Sequence, residues 1–164
     1  MHMIHVDLLS YLSLAGGALD GHVREQLRSR GFEGLRVRHG YVFQRLLVGP
    51  QSITELGRSL SVSQQAMSKT VRELANLGYV DTGTDPGDAR RRVVRLTDRG
   101  RASITTAREI RSQLEARLAR SVDGREVDGA RAVITALLAE LGLGDRIAER
   151  SAPDPDPERT DPSA

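Results

Sequence analysis

The sequence predicts a mainly α-helical fold that carries one small β-hairpin, and three observations lead to this prediction. Two short amphipathic segments within residues 52–77 are separated by only two residues, Ser61 and Val62. Alternating, strand-like segments lie on both sides of a turn at residues 85–88. Long amphipathic segments occupy both ends of the chain, and their apolar stripes need a surface to cover them.

The first helix is predicted between Val6 and Arg30, because apolar residues recur there at steps of three and four. Three glycines between residues 16 and 21 lower its helix propensity and would permit a kink. Gly31 is expected to end it. A second amphipathic helix follows from Leu35 and ends at the Gly-Pro pair of residues 49–50.

A third helix is predicted from the capping box at residues 52–55, in which the Ser52 side chain accepts from a free amide and Glu55 bonds back. Ser63 is a suitable N-cap for a fourth helix, and Gly78 is expected to close it with a positive φ. The connection between the two helices therefore has helix-turn-helix length. Their buried sides are predicted to comprise Ile53, Leu56, Leu60, Met67, Val71, Leu74 and Leu77.

Residues 79–82 and 92–96 have strand character, and a two-stranded hairpin is marginal alone, so we expect it to lean on the helices. Thr97 is a suitable cap for a long fifth helix. Asp123 and Glu126 form another capping box, which opens a last helix that Gly142 ends. The inward stripe of that helix is predicted to comprise Val127, Ala130, Ile134, Leu137 and Leu141.

The composition suits one domain with a core, or a small domain with a dimerising appendage, in a chain of 164 residues. Aliphatic side chains must form that core, since the chain has only five aromatic residues. The absence of cysteine excludes disulfides and thiolate metal sites. With no long apolar run and no export signal, the chain is expected to be cytoplasmic, with no membrane partner.

The formal net charge of +2 is unevenly distributed. Residues 151–164 contain four acids and one arginine, which leaves +5 on residues 1–150. Lys69 is the only lysine, so nearly every cation is a guanidinium, a group that can fork onto phosphate or guanine. Codon bias is an alternative source of the arginine excess, but it does not explain clustering.

The polar residues of the fourth helix lie opposite its apolar side in a helical projection and include no acid. Such a face suits contact with bases and phosphates, although an ordinary solvated face is the alternative. The candidate DNA-reading residues are Gln64, Gln65, Ser68, Lys69 and Arg72.

Six arginines then occur within twelve residues, opposed only by Asp98. Their mutual repulsion indicates an anionic partner, and a basic hairpin tip can reach a minor groove. A solvated basic loop is the alternative. Together, the helix pair and the hairpin predict a winged helix-turn-helix that binds double-stranded DNA. The six are Arg90, Arg91, Arg92, Arg95, Arg99 and Arg101.

Five motifs follow one another through about fifty residues: Ile-Thr-Glu-Leu at 53–56, Val-Ser-Gln-Gln-Ala-Met-Ser-Lys at 62–69, Leu-Ala-Asn-Leu-Gly-Tyr-Val at 74–80, Asp-Pro-Gly-Asp-Ala-Arg at 85–90 and Val-Arg-Leu-Thr-Asp-Arg-Gly at 94–100. Their order and spacing resemble the signature of MarR-type winged-helix regulators. Outside these residues the similarity rests on the helix pattern.

This resemblance implies a homodimer whose first and last helices interlock, and a transcription regulator, usually a repressor relieved by a small ligand. It places the polar face of the fourth helix in the major groove of a pseudo-palindromic operator. It also places Arg90 in the minor groove, held by Asp88 of the Asp-x-Arg pattern. Arg91 and Arg92 are additional to that pattern, and we assign them phosphate contacts.

The predicted organisation is an N-terminal dimerisation helix (1–34), the winged helix-turn-helix (35–101), C-terminal dimerisation helices (102–150) and a disordered, acidic, proline-rich tail (151–164). Dimerisation has a physical argument of its own, since one lobe covers one half-site and the terminal stripes have little else to cover. The alternative is that these stripes close a monomeric core.

His39, Tyr41 and Phe43 are candidates for an effector pocket, with core packing as the alternative. No metal site or cofactor is expected, because His2 and His5 lie in a frayed start and no paired-His helix motif occurs. An enzyme is not predicted, since no Gly-rich phosphate loop or Ser-His-Asp order is found. The alternative function is a winged-helix adaptor for protein contacts.

Overall fold

The computed structural model describes residues 7–85 and 87–143 of the chain. The elements described are α1 (Leu8–Ser29), α2 (Val37–Val48), α3 (Ile53–Leu60), α4 (Gln64–Asn76), β1 (Val80–Asp85), β2 (Asp88–Leu96), α5 (Asp98–Leu118) and α6 (Gly124–Glu140). This arrangement confirms the predicted fold class. The predicted tail at 151–164, and the start of the chain with His2 and His5, lie outside the described residues.

The helix starts follow the capping signals in the sequence. The Ser52 hydroxyl accepts from the Glu55 amide at 3.2 Å, while the Glu55 carboxylate accepts from the Ser52 amide at 2.7 Å, so the capping box of α3 is complete. Ser63 caps α4 by accepting from the Ala66 amide at 3.1 Å. Gly78 has a φ of 78° immediately after α4 and lets the chain turn into the hairpin, as predicted.

The helix-turn-helix is held by one core that α2, α3, α4 and the hairpin share. The turn between α3 and α4 places Ser61 in the left-handed region, with a φ of 58°. There the Val62 amide donates to the Gly57 carbonyl at 2.9 Å, which closes the C-terminal end of α3. The buried side chains include Val42, Phe43, Leu46, Leu56, Leu60, Met67, Val71 and Leu74.

The hairpin extends further than the sequence indicated, because both strands continue to the turn. Its register runs from Val80 opposite Leu96 to Thr84 opposite Arg92. Gln51 exchanges two backbone hydrogen bonds with Val94, of 3.1 and 2.8 Å, and so fastens the base of the hairpin to the segment before α3. The hairpin therefore leans on the helical core, as expected.

The helices at the two ends of the described chain are only partly packed against the rest of it. A second apolar cluster joins α1 to α5 through Val23, Leu27 and Ile110. None of the described residues of α6 is buried, and its predicted inward stripe is largely exposed, with Leu137 half-buried. The large apolar side chains left exposed on α1 and α6 are Leu8, Leu9, Tyr11, Leu14, Val127, Val133 and Ile134.

Candidate nucleic-acid interface

The polar face of α4 lies on the surface of the molecule. The buried residues Met67, Val71 and Leu74 anchor α4 in the core, and this places the opposite face outward. The face is rich in donors, and its one cationic amine and one guanidinium suit an anionic partner. Its exposed predicted residues are Gln64, Gln65, Lys69 and Arg72, with Ser68 half-buried beside them.

We call the tip of the hairpin the wing (residues 84–92). A short turn from Asp88 to Arg90 shapes it. The Asp88 carboxylate accepts from the Arg90 backbone amide at 2.9 Å. This turn leaves the Arg90 side chain exposed, and Arg92 is exposed as well. Neither guanidinium has an ion-pair partner among the described residues.

The Arg91 side chain lies on the opposite face of β2 from those of Arg90 and Arg92, because side chains alternate along a strand. It is on the same side as the buried Val93 and reaches α3, where its Nη2 atom lies 2.6 Å from the Glu55 carboxylate. Its Nη1 atom donates to the Asp85 carboxylate at 2.8 Å. The pKa of Glu55 is lowered to about 2, chiefly by the hydrogen bond from Arg91 and next by the hydrogen bonds from Ser52.

Two more arginines of the cluster are bound within the protein. Arg95 pairs with Asp81 at 3.0 Å across the hairpin. Arg99 donates to the Gly31 carbonyl at 2.8 Å, and its guanidinium carbon lies 4.9 Å from the centre of the Tyr79 ring. The cluster that the sequence presented as one basic patch thus has two parts, one structural and one exposed.

A polar contact between helices joins α4 to α2 behind the exposed face. Arg38 donates to the Glu73 carboxylate at 2.7 Å, and the Nε2 atom of His39 lies 3.6 Å from the same group. The His39 Nδ1 atom accepts from the Arg36 amide at 3.2 Å, which fits a neutral ring with its hydrogen on Nε2. Burial, followed by the charge of Arg38, lowers the pKa of His39 to about 4.

A cavity of about 650 Å³ lies between α1, α2 and α5, with Leu138 of α6 also on its wall. All three predicted pocket residues, His39, Tyr41 and Phe43, are on its wall, although His39 and Phe43 are also buried in the core. Much of the remaining wall is apolar, with Val23 and Ile104 among its side chains.

The charged residues around the cavity are mostly arginines, which the sequence analysis did not assign to it. The acid on its wall is Asp20, which lies 3.8 Å from Arg111. A cavity with apolar walls and a cationic border can accommodate an anion that has an apolar body. The arginines are Arg24, Arg36, Arg108 and Arg111.

In the part of the chain that the structure describes, no group of three or more His, Asp or Glu side chains is placed to hold a metal ion. Within the same residues, no helix combines the length and the apolar character needed to cross a membrane.

Residues 34–91, from three residues before α2 to Arg91 in the wing, match the model of the MarR family. This segment belongs to the MarR family. The match covers the polar face of α4 and the Asp88–Arg90 turn, which are the parts whose geometry suits nucleic acid. The comparison with curated proteins found no match to this chain.

Solved structures extend the likeness beyond the MarR segment to most of the chain. RV1404 from Mycobacterium tuberculosis is 21% identical with a TM-score of 0.66, covering 85% of this chain and 96% of its own. A mutant of MepR from S. aureus, bound to an oligodeoxyribonucleotide, is 18% identical with a TM-score of 0.57, covering 82% and 99%. At these identities the likeness establishes the fold.

A third similar structure is the heme sensor protein PefR from Streptococcus agalactiae in complex with heme. It is 18% identical with a TM-score of 0.60, covering 87% of this chain and 98% of its own.

Sequence reasoning missed the contacts that join distant parts of the MarR segment. Glu55 and Arg91 are 36 residues apart, and Arg38 and Glu73 are 35 residues apart. Strand alternation places Arg91 on the opposite face of the hairpin from Arg90 and Arg92, but Val93 and Val94 on the two faces are both buried, so alternation alone did not indicate the contact with Glu55. The second pair had only a weak signal, namely an acid at the flank of an otherwise acid-free face.

Proposed function

We propose that the protein is a sequence-specific DNA-binding transcription regulator. The observation that carries this proposal is the exposed, acid-free face of α4 on the same module as a wing whose Arg90 and Arg92 have no ion-pair partner among the described residues. A core-packed helix presents amides, a hydroxyl and cations outward, which is the chemistry that base edges and phosphates require.

In the proposed complex, α4 enters the major groove and the wing reaches the neighbouring minor groove. Gln65, Lys69 and Arg72 would face base edges or phosphates, and Arg90 would occupy the minor groove, where narrow A·T-rich stretches concentrate negative potential. The fold that the chain shares with the DNA-bound MepR mutant supports this orientation.

We propose further that the protein acts as a homodimer on a pseudo-palindromic operator. One winged helix covers one half-site, and α6 has no buried residue within the described protomer. A two-fold interface formed by α1 and α6 of both chains would cover the exposed apolar side chains of these helices and place two copies of α4 about one DNA turn apart.

The cavity between α1, α2 and α5 is the proposed effector site, and the protein is proposed to be a repressor that an effector releases from DNA. Its volume lies within the usual range of ligand sites, roughly 300–1,000 Å³. The arginines on its border favour an anion with an apolar body. PefR, which shares the fold, is described as a heme sensor.

A mobility-shift titration with the DNA upstream of the protein's own gene tests DNA binding. With several phosphate contacts per dimer, affinity should fall by orders of magnitude between about 50 and 200 mM salt. Arg90→Ala should weaken binding, whereas Arg117→Ala, which removes an exposed arginine near the end of α5, should not. Absence of binding, or binding insensitive to salt, would favour the adaptor function instead.

The effector site is tested with anilinonaphthalene sulfonate, a fluorescent anion with an apolar body. We expect saturable fluorescence that the double variant Arg108→Ala/Arg111→Ala weakens, while Arg117→Ala on the same helix leaves it unchanged. Equal fluorescence from all three proteins would remove the support for an anion site in this cavity.

A further inference from the structure

The wing has few contacts of its own with the rest of the molecule. Beyond the pair formed by Thr84 and Arg92, the residues at the tip from Gly87 to Arg90 are exposed. A two-stranded hairpin is marginal when it stands alone, so its orientation depends on what holds its sides. The backbone bridge between Gln51 and Val94 fixes the base of the hairpin. This bridge does not fix the tip, so the orientation of the tip depends on a further contact.

Arg91 supplies that contact. One arm of its guanidinium reaches Glu55 in the first turn of α3, at 2.6 Å, and the other arm reaches Asp85 at the end of β1, at 2.8 Å. One planar group therefore joins the second strand to the first strand and to the helix-turn-helix. An ammonium group lacks this fork geometry, so lysine could not make the same pair of contacts.

Glu55 is itself held in place by the capping box. Its Oε2 atom accepts from the Ser52 amide at 2.7 Å and from the Ser52 hydroxyl at 2.8 Å. The carboxylate that Arg91 contacts is thus fixed to the start of α3, two residues after Gln51 has fixed the base of the hairpin. The two attachment points of the hairpin, Gln51 and Glu55, lie within five residues of each other in sequence.

We propose that Arg91 is a positioning residue that latches the wing to α3 through Glu55, and thereby sets where Arg90 lies relative to α4. The consequence for DNA rests on the proposed function, whereas the latch itself does not. This role differs from the phosphate contact that the sequence analysis assigned to Arg91. The three adjacent arginines accordingly have different roles. Arg90 and Arg92 are exposed to solvent, whereas Arg91 holds the strand that carries them.

The first arm of the test uses the full chain without DNA. Hydrogen–deuterium exchange is measured on the wing amides, residues 84–85 and 87–92, in the wild type and in Arg91→Ala, Glu55→Gln and Arg92→Ala. Gln is accepted in a capping box, so Glu55→Gln keeps the cap of α3 and removes the charge. We expect the wing amides to exchange faster in the first two variants than in the wild type. In Arg92→Ala they should exchange at the wild-type rate. Unchanged exchange in both would overturn the latch.

The second arm uses a duplex that the wild-type chain selects from a random pool. Arg91→Ala should weaken binding by roughly two- to fivefold, the range of exposed ion pairs, with an unchanged salt slope. Arg92→Ala should instead lower that slope by about one, as the loss of a phosphate contact does. A slope lowered by Arg91→Ala to the same extent would overturn the positioning role.

Glu55→Gln gives opposite expectations for the two roles. If Arg91 holds the wing, removing its partner weakens DNA binding, even though an acid has been removed from a DNA-binding surface. If Arg91 contacts phosphate, the freed arginine strengthens binding, and that result would also overturn the proposal. If the wild-type chain selects no duplex, the proposed function fails, and the exchange experiment still decides whether the latch exists.

Discussion

Arg38 of α2 donates to the Glu73 carboxylate of α4 across 2.7 Å, and both side chains are about three-quarters shielded from solvent. The pair joins the inner flank of the proposed DNA-reading helix to the helix that lines the cavity. His39, the next residue on α2, lies on the cavity wall and faces the same carboxylate. A displacement of α2 by a bound ligand would therefore act on the position of α4 through this contact.

This ion pair should contribute measurably to stability. Arg38→Ala leaves a shielded carboxylate without its partner, so we expect the free energy of unfolding to fall by about 1–2 kcal/mol, above the usual value for exposed pairs. Arg28→Ala is the matched control, because Arg28 pairs with Glu25 at the same distance of 2.7 Å on an exposed surface. Urea denaturation of the two variants and of Glu73→Ala measures the difference, and equal losses in both arginine variants would contradict the prediction.

Stability should decrease as the pH falls from about 6.5 toward 4, because of His39. The pKa of this group is about 4 in the folded chain and 6.5 in its ordinary state, so the unfolded chain binds more protons in that window. Arg38 and Arg36 oppose protonation of the ring, and Glu73 favours it. The lowered pKa of Glu73 adds a loss in the same direction at more acidic pH.

The expected loss in the free energy of unfolding between pH 7 and pH 5 is roughly 2 kcal/mol from His39 alone. His39→Gln should flatten the profile in this window, while His22→Gln, at an exposed position on α1, should leave it as in the wild type. Urea denaturation at both pH values provides the measurement. Parallel profiles for the wild type and His39→Gln would show that another group controls the pH dependence.

Gly100, at the start of α5, should tolerate no larger residue. It is buried, and a Cβ atom there would collide with the Tyr79 carbonyl oxygen, which already accepts from the Thr97 amide. Gly100→Ala should therefore destabilise the fold by about 1–3 kcal/mol through overpacking. Gly40→Ala in α2 meets no atom within 4 Å and should stabilise it, by up to about 1 kcal/mol. Thermal denaturation compares the two, and a neutral Gly100→Ala would contradict this account.

The sequence predicts those parts of the fold that local signals determine. The capping boxes at Ser52 and Asp123 begin α3 and α6 as expected, because both partners of each box lie within four residues. Gly78 turns the chain after α4 because few other residues adopt its positive φ easily. The order of helices and the hairpin follows from such signals and from apolar periodicity.

The contacts that organise the candidate site were not predictable in the same way. Whether Arg91 meets a phosphate or Glu55 depends on how the hairpin lies against α3, and no local pattern specifies that. The same holds for the cavity, where His39, Tyr41 and Phe43 were named from α2 alone. Its charged border comes from α1, α5 and the residue before α2, which only tertiary packing brings together.

Dimerisation is the last prediction, and it follows from the apolar surface of α6. Ile134 is 41% exposed in the protomer although it lies on the apolar stripe of its helix, and Leu14 on α1 is 69% exposed. An interface that covers both residues would bury them at the centre of a two-fold contact. A carboxylate placed there would have to be desolvated without a partner.

We therefore expect the wild-type chain to be a dimer at micromolar concentration and Ile134→Glu to be a monomer with an unchanged helical circular dichroism spectrum. Val48→Glu is the control, since Val48 is 87% exposed at the end of α2 and lies outside the proposed interface. Size-exclusion chromatography with light scattering gives the mass of each protein. A monomeric wild type would show that a single protomer leaves these apolar stripes exposed to solvent, and a dimeric Ile134→Glu would place the interface elsewhere.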